Sequence, residues 1–94
     1  MVKHIVTWKL KEDNNEENAR KMKAMLESLP SKISWIKKLE VGINENGGEY
    51  GIILITEFDS YDDLKNYDIH EEHQKVREFV KTVVTDRVAV DYEF

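Results

Sequence analysis

The chain reads as an α+β fold of the ferredoxin-like kind: four antiparallel strands and two helical segments in the order strand, helix, strand, strand, helix, strand. Three observations predict it. Apolar and polar residues alternate near both ends of the chain, which is the period of a half-buried strand. Two intervening stretches repeat their apolar residues at spacings of three and four, the period of an amphipathic helix. An Asn46-Gly47-Gly48 turn signal separates the second and third strands, which leaves the βαββαβ order of a split β-α-β domain. Ninety-four residues suit one domain, 1–94, with a core small enough that self-association adds useful burial.

The first strand is Val2 to Leu10, with Val2, His4, Val6, Trp8 and Leu10 on one face and Lys3, Ile5, Thr7 and Lys9 on the other. A helix follows from Asn14 or Asn15. Asn15 suits the cap, and Glu16 and Glu17 lie in the first turn, where the helix dipole favours acids. Ala19, Met22, Met25, Leu26 and Leu29 form its apolar stripe, and Pro30 ends it because proline has no N–H to continue the ladder. The second strand is expected over Ile33 to Ile43, with a bulge marked by Gly42. After a tight hairpin, the third strand runs from Glu49 to Phe58. Ser60 caps a short helix through Tyr67, followed by a bend near Asp68-Ile69 and a second helical run from His70. Ile69, His73, Val76, Val80 and Val83 make that run's buried stripe, with His70 toward its edge. The last strand covers Arg87 to Phe94.

The third strand bears on quaternary structure. Ile52 and Leu54 point one way and Ile53 and Ile55 the other, so both of its faces call for burial. Two helices cover one face of a four-stranded sheet. A second copy of the same sheet is the economical cover for the other, which predicts a homodimeric α+β barrel.

Composition narrows the function. The chain is 40% hydrophobic and 35% charged, which is that of a folded domain, and its net charge of −5 comes without a basic stripe, so nucleic acid is not an expected partner. The absence of cysteine excludes disulfides, thiolate nucleophiles and cysteine-ligated metals. No segment approaches the roughly 20 apolar residues of a membrane helix, and the first residues lack the apolar core of a signal peptide, so a cytoplasmic protein with no membrane association is expected. Asn46-Gly47-Gly48 lies in a hairpin, the wrong context for a phosphate-binding loop.

Chemistry concentrates in Phe58 to His73, which holds Tyr67, His70 and His73, and in His4 from the other end of the chain. An imidazole titrates near working pH and can take and return a proton. A neutral tyrosine hydroxyl can donate to a developing oxyanion. One reading is therefore a cofactor-independent acid/base site in which His73 removes a proton next to a carbonyl while Tyr67 or His4 donates to the enolate, with Trp8, His70 and Val76 contacting the ligand. Two blander readings stand beside it: a small-molecule site without turnover, and a structural role with His4 and His73 as satisfied core histidines and Tyr67 as a packing aromatic. A metal shared by His70, His73 and His4 or Glu71 is not expected, because His70-Glu-Glu-His73 departs from the His-Glu-x-x-His spacing of zinc proteases and no cysteines complete a closed zinc site. No cofactor is implied. Met22 and Met25 read as core filler, Trp35 as packing, and Glu12, Asp13, Glu16 and Glu17 as a solvated loop and helix start.

The residues Val2-Lys-His4-Ile-Val6, Leu39-Glu-Val-Gly42, Phe58-Asp-Ser-Tyr-Asp-Asp-Leu64, Tyr67-Asp-Ile-His70-Glu-Glu-His73 and Val90-Asp-Tyr92 resemble the stress-responsive dimeric A/B-barrel family, in order along essentially the whole chain. The resemblance implies a dimeric barrel of ferredoxin-like subunits. It also implies distant similarity to that family's plant olivetolic acid cyclase, which closes a linear polyketide by an aldol reaction. The cyclase's catalytic strand histidine matches His4, its helix tyrosine Tyr67 and its helix histidine His73. His70 matches a histidine of the family's His-Pro-x-His motif, whose proline is replaced here by Glu71, removing a fixed φ and adding a carboxylate.

Overall fold

A computed structural model describes residues 1–94. The strands β1 (Val2–Leu10), β2 (Lys38–Ile43), β3 (Tyr50–Phe58) and β4 (Val84–Glu93) form one antiparallel sheet in the order β2-β3-β1-β4. Helices α1 (Asn15–Glu27), α2 (Tyr61–Asp68) and α3 (Glu71–Val83) complete a ferredoxin-like domain. The second helical segment is thus two helices, broken at Ile69 and His70. No helix is long and apolar enough to cross a membrane.

The alternation of β1 is realised residue by residue. Val2, His4, Val6, Trp8 and Leu10 are buried, and the residues between them are half-buried. Pairing carries that alternation across the sheet in rows. On the buried side, Val41, Leu54, Val6 and Ala89 align, as do Leu39, Thr56, His4 and Asp91, then Ile43, Ile52, Trp8 and Arg87. Against these rows pack Ala19, Met22 and Leu26 of α1, Leu64 and Tyr67 of α2, and Val76, Val80 and Val83 of α3, forming one contiguous core.

Several boundaries differ from the sequence reading, each for a local reason. Asn14, not Asn15, precedes the first helical residue. It adopts the left-handed conformation at φ 53°, which asparagine tolerates, while the Asn15 amide donates back to the Lys11 carbonyl at 3.1 Å. The segment 33–37 is not strand. A 3-10 turn at Leu29–Ser31 continues into bonds from Ile33 N to Leu29 O and Ile36 N to Ile33 O, which bury Ile33 and Ile36 from a turn. Gly42 carries no bulge, since β2 and β3 pair in unbroken register through Gly42 and Ile53. Its missing side chain leaves room for Ile53, whose Cγ2 lies 3.3 Å from where a Cβ would stand. The irregularities fall instead in β1, around Lys9. The hairpin loop is held by its asparagines, with Asn44 Oδ1 accepting from Asn46 N and Asn46 Oδ1 from Gly48 N, and Gly47 supplies the positive φ. β4 begins at Val84, directly after α3, because Val84 already pairs with Leu10. Ile69, expected on the buried stripe, is 67% exposed because it falls in the helix break, where the 3.6-residue phase restarts.

Candidate functional site

Ser60 accepts from Asp63 N and starts α2, which places Tyr67 at its last residue but one with the ring fully inside the core. The helix break then lets α3 start on a new axis. His70 is its cap, with Nδ1 accepting from Glu72 N at 3.0 Å. That bond fixes the start of the helix, and Glu71 and Glu72 complement the dipole of the first turn. His73 follows one turn later and its ring packs 4.3 Å from that of Tyr67. Across the sheet, the His4 ring lies 6.4 Å from Tyr67, edge-on, and Phe58 closes the other side at 5.1 Å. His4, Tyr67 and His73, from three separate elements, are therefore neighbours.

Each histidine is held at Nδ1. His73 Nδ1 lies 2.9 Å from the Asp68 carbonyl oxygen; a carbonyl accepts only, so Nδ1 carries the proton and Nε2 is the ring's lone-pair nitrogen. Burial pushes the His73 pKa below the ordinary histidine range, opposed by the Asp68 carbonyl and carboxylate. The ring is thus neutral at pH 7 and fit to accept a proton at Nε2. His4 Nδ1 is hydrogen-bonded to the Asp91 carboxylate, its register partner in β4. Asp91 orients that ring, and Thr56 Oγ1 donates to the His4 carbonyl at 3.2 Å from the other flank. Burial, then the Asp68 charge, pushes the Tyr67 hydroxyl well above the ordinary phenol range, and its oxygen has no hydrogen-bond partner in the chain.

Between sheet and α3 lies a cavity of about 120 Å³. Its buried wall is Val6, Trp8, Leu26, Leu54, Val76 and Val80, and His4 and His73 supply polar groups inside it. Trp8 and Val76 fall on this wall. His70 does not line it: its ring packs 5.6 Å from Trp35, whose indole N–H donates to the Asp63 carbonyl, so His70 is structural, a cap on α3. Tyr67 stands behind the two histidines rather than on the lining. His70 and His73 point into different surroundings, and no three histidine, aspartate or glutamate side chains converge as a metal-ligand set.

Sequence reasoning missed Asp91 and the cationic residues Arg77, Lys81 and Arg87, which line the outer part of the cavity. A signal existed for Asp91 and Arg87. Both stand out of phase with Val88, Val90 and Tyr92, so they share the face of β4 that β1 directs toward its own His4 and Trp8.

Comparison with solved structures returns the same fold. A dimeric protein of unknown function and ferredoxin-like fold from Bacteroides fragilis superposes with a TM-score of 0.93 at 42% identity, covering 99% of this chain and 95% of that one. A dimeric ferredoxin-like protein of unknown function from Thermobifida fusca gives 0.88 at 21% identity, covering 99% and 90%. A hydroxynitrile lyase from Passiflora edulis gives 0.83 at 15% identity over 97% and 90%; at such identities the likeness is one of fold alone. A search of the curated proteins gives no match. The model of the Stress responsive A/B Barrel Domain matches residues 2–94, and this chain belongs to that family.

Proposed function

We propose that this chain acts in the cytoplasm as a homodimeric A/B barrel whose subunits, each one domain over residues 1–94, bind a small organic carbonyl or polyketide-like compound and use His73 as a general base on it. The observation that carries the proposal is the His73 Nδ1 bond to the Asp68 carbonyl, which leaves Nε2 of a neutral, largely buried imidazole free beside an apolar cavity. In the step envisaged, the bond between a proton and the carbon next to the ligand's carbonyl breaks. The proton goes to His73 Nε2 and the electron pair moves to the carbonyl oxygen. Tyr67, or His4 through Nε2–H when its ring carries both protons with Nδ1–H on Asp91, donates a hydrogen bond to that enolate oxygen. Return of the proton completes the turnover, or the enolate carbon attacks a second carbonyl in the manner of a cyclase, that carbonyl's π pair moves to its oxygen, and the proton on His73 passes to the resulting alkoxide.

The dimer is supported by the uncovered face of the sheet, where Ile5, Ile55 and Val90 align in one row and Ile53 and Val88 in the next, and by the dimeric Bacteroides fragilis relative. One observation favours the second reading, a binding protein without turnover. Tyr67 is fully buried and off the cavity lining, the position of a packing aromatic.

Deuterium exchange at the α-carbon of acetoacetamide, followed by NMR, separates the two. Exchange above the solvent rate that His73→Ala removes while the fold and dimer persist supports the base. Binding with no enhanced exchange in the parent protein leaves only the binding module, and loss of stability without effect on any ligand leaves a structural role.

A further inference from the structure

The cavity has an apolar wall and a cationic rim. Arg77 and Lys81 stand four residues apart on α3, and Arg87 projects from β4 in the row of Trp8. All three are exposed cavity-lining residues, so they define its mouth. The balance of charge there is opposite to that of the chain. Acids outnumber Lys and Arg by 19 to 14 over the whole sequence, whereas the lining has these three cations against one acid, Asp68. Neither guanidinium makes an ion pair with a carboxylate of the chain. Lys81 has only a solvent-exposed contact with Glu78 at 3.9 Å, too loose to neutralise it. Two unengaged guanidinium forks at the mouth of a cavity match the bidentate geometry of a carboxylate, and a focused positive potential raises the local concentration of anions.

We propose that the cavity selects a small oxo acid, a carbonyl compound that carries a carboxylate, and that Arg77 and Arg87 are the specificity-determining residues that hold this carboxylate, with Lys81 adding charge at the rim. The proposal rests on the acid/base reading above: with the carboxylate held at the mouth, the carbonyl end reaches inward toward His4 and His73. The volume of about 120 Å³ sets the size, since a cavity of roughly 150 Å³ accommodates benzene, so the ligand has a comparable handful of heavy atoms. The charges of Arg77 and Arg87 also act on the Tyr67 hydroxyl, and that of Arg77 on His73, which places the cationic rim within electrostatic reach of the inner groups.

Acetoacetate and acetoacetamide are nearly the same shape and differ by one charge, so the ratio of their affinities for the intact protein, measured by NMR titration, reads the proposal directly. The expected ratio favours acetoacetate by about tenfold or more, the worth of a charge-assisted hydrogen bond, and shrinks as salt is raised. Arg77→Gln and Arg87→Gln each move the ratio toward one. Lys75→Gln, which removes a cation from the same helix outside the cavity, leaves it at the parent value. Equal affinity for the two probes overturns the proposal, as does a Lys75→Gln effect as large as that of Arg77→Gln. If the ratio is one but acetoacetamide still exchanges in a His73-dependent way, the oxo-acid assignment alone has failed. If neither probe binds at millimolar concentration, both the assignment and the carbonyl reading fall.

Discussion

The two faces of the sheet are built from the same strands and reach opposite fates. On one face, Val2, Val6, Ile52, Leu54 and Phe58 are sealed under the helices together with His4 and Thr56, while Asp91, the register partner of His4, stays exposed at the edge of that row. On the other, Ile5, Ile55 and Val90 align in the central row with Glu40, and Val90 remains 54% exposed. The rim of that open face is ionic and aromatic: Glu57 lies 3.9 Å from both Lys3 and Lys38, and the Lys3 ammonium sits 4.7 Å from the centre of the Phe94 ring. An apolar centre inside a polar rim is the anatomy of an interface. The closed face thus holds the candidate chemistry, because burial there shifts histidine and tyrosine; the open face holds the candidate assembly, because nothing in the chain covers it.

Adjacent residues of β3 give the sharpest way to break this contrast. Leu54→Asp places a carboxylate in the closed core and is expected to abolish folding, as read by circular dichroism, whereas Ile55→Asp should give a folded monomer by sedimentation at micromolar concentration. A folded Leu54→Asp protein, or a dimeric Ile55→Asp one, would sink the assignment of the faces. Phe58→Ala, which deletes a fully buried ring packed on Tyr67, should cost about 3–5 kcal/mol in denaturant unfolding. Tyr67→Phe runs the other way. Removing a buried hydroxyl with no partner is expected to gain about 1 kcal/mol, or roughly 4–8 °C in Tm, while slowing any carbonyl exchange. A lower Tm would mean that the hydroxyl is satisfied in solution.

A pH titration tests the closed face more gently. The His73 pKa is lowered in the folded protein, so the unfolded chain binds more protons in the window between the folded value and the usual 6.5; stability is fully present above that window and declines as pH falls through it. His73→Gln should flatten this part of the stability profile, and in the parent protein base-dependent exchange should fall on the same acid limb. The smallest effect belongs to the surface. Breaking the exposed Lys37–Asp59 pair at 3.3 Å with Lys37→Ala should change stability by under about 0.5 kcal/mol, because solvent screens it.

Patterns confined to one element are legible in the amino-acid sequence. β1, the α1 stripe, the Ser60 cap and the break before α3 all rest on neighbours within a few residues, where periodicity and capping chemistry act. Local pattern misleads where a segment's state depends on a distant partner. Ile33 and Ile36 have strand-like composition, yet a preceding 3-10 turn claims their backbone, and β4 starts early because Leu10 pairs with Val84. The site shows the same division. His4 and His73 are identifiable as titratable residues with inward phase, and Tyr67 joins them through the family resemblance. For Asp91 and Arg87 the strand phase gives the face and no more, and Arg77 and Lys81 carry no signal at all, because nothing local distinguishes a helix-surface charge that completes a site from one that faces water. His70 misleads for the converse reason: its spacing from His73 suggests a shared face and a ligand contact, and only the helix break makes it a cap.

By itself, then, the sequence determined the order of elements, the inward face of β1 and the doubly apolar character of β3, because these follow from side-chain periods of 2 and 3.6 along a single chain. The tertiary structure alone decided which side chains from separate elements meet. It set Asp91 against His4 through strand register, fixed the tautomer of His73 through the Asp68 carbonyl, and brought Arg77 and Arg87 to one cavity mouth. Those outcomes depend on residues far apart in the chain meeting at ångström distances, and register and packing, rather than local propensity, set such distances.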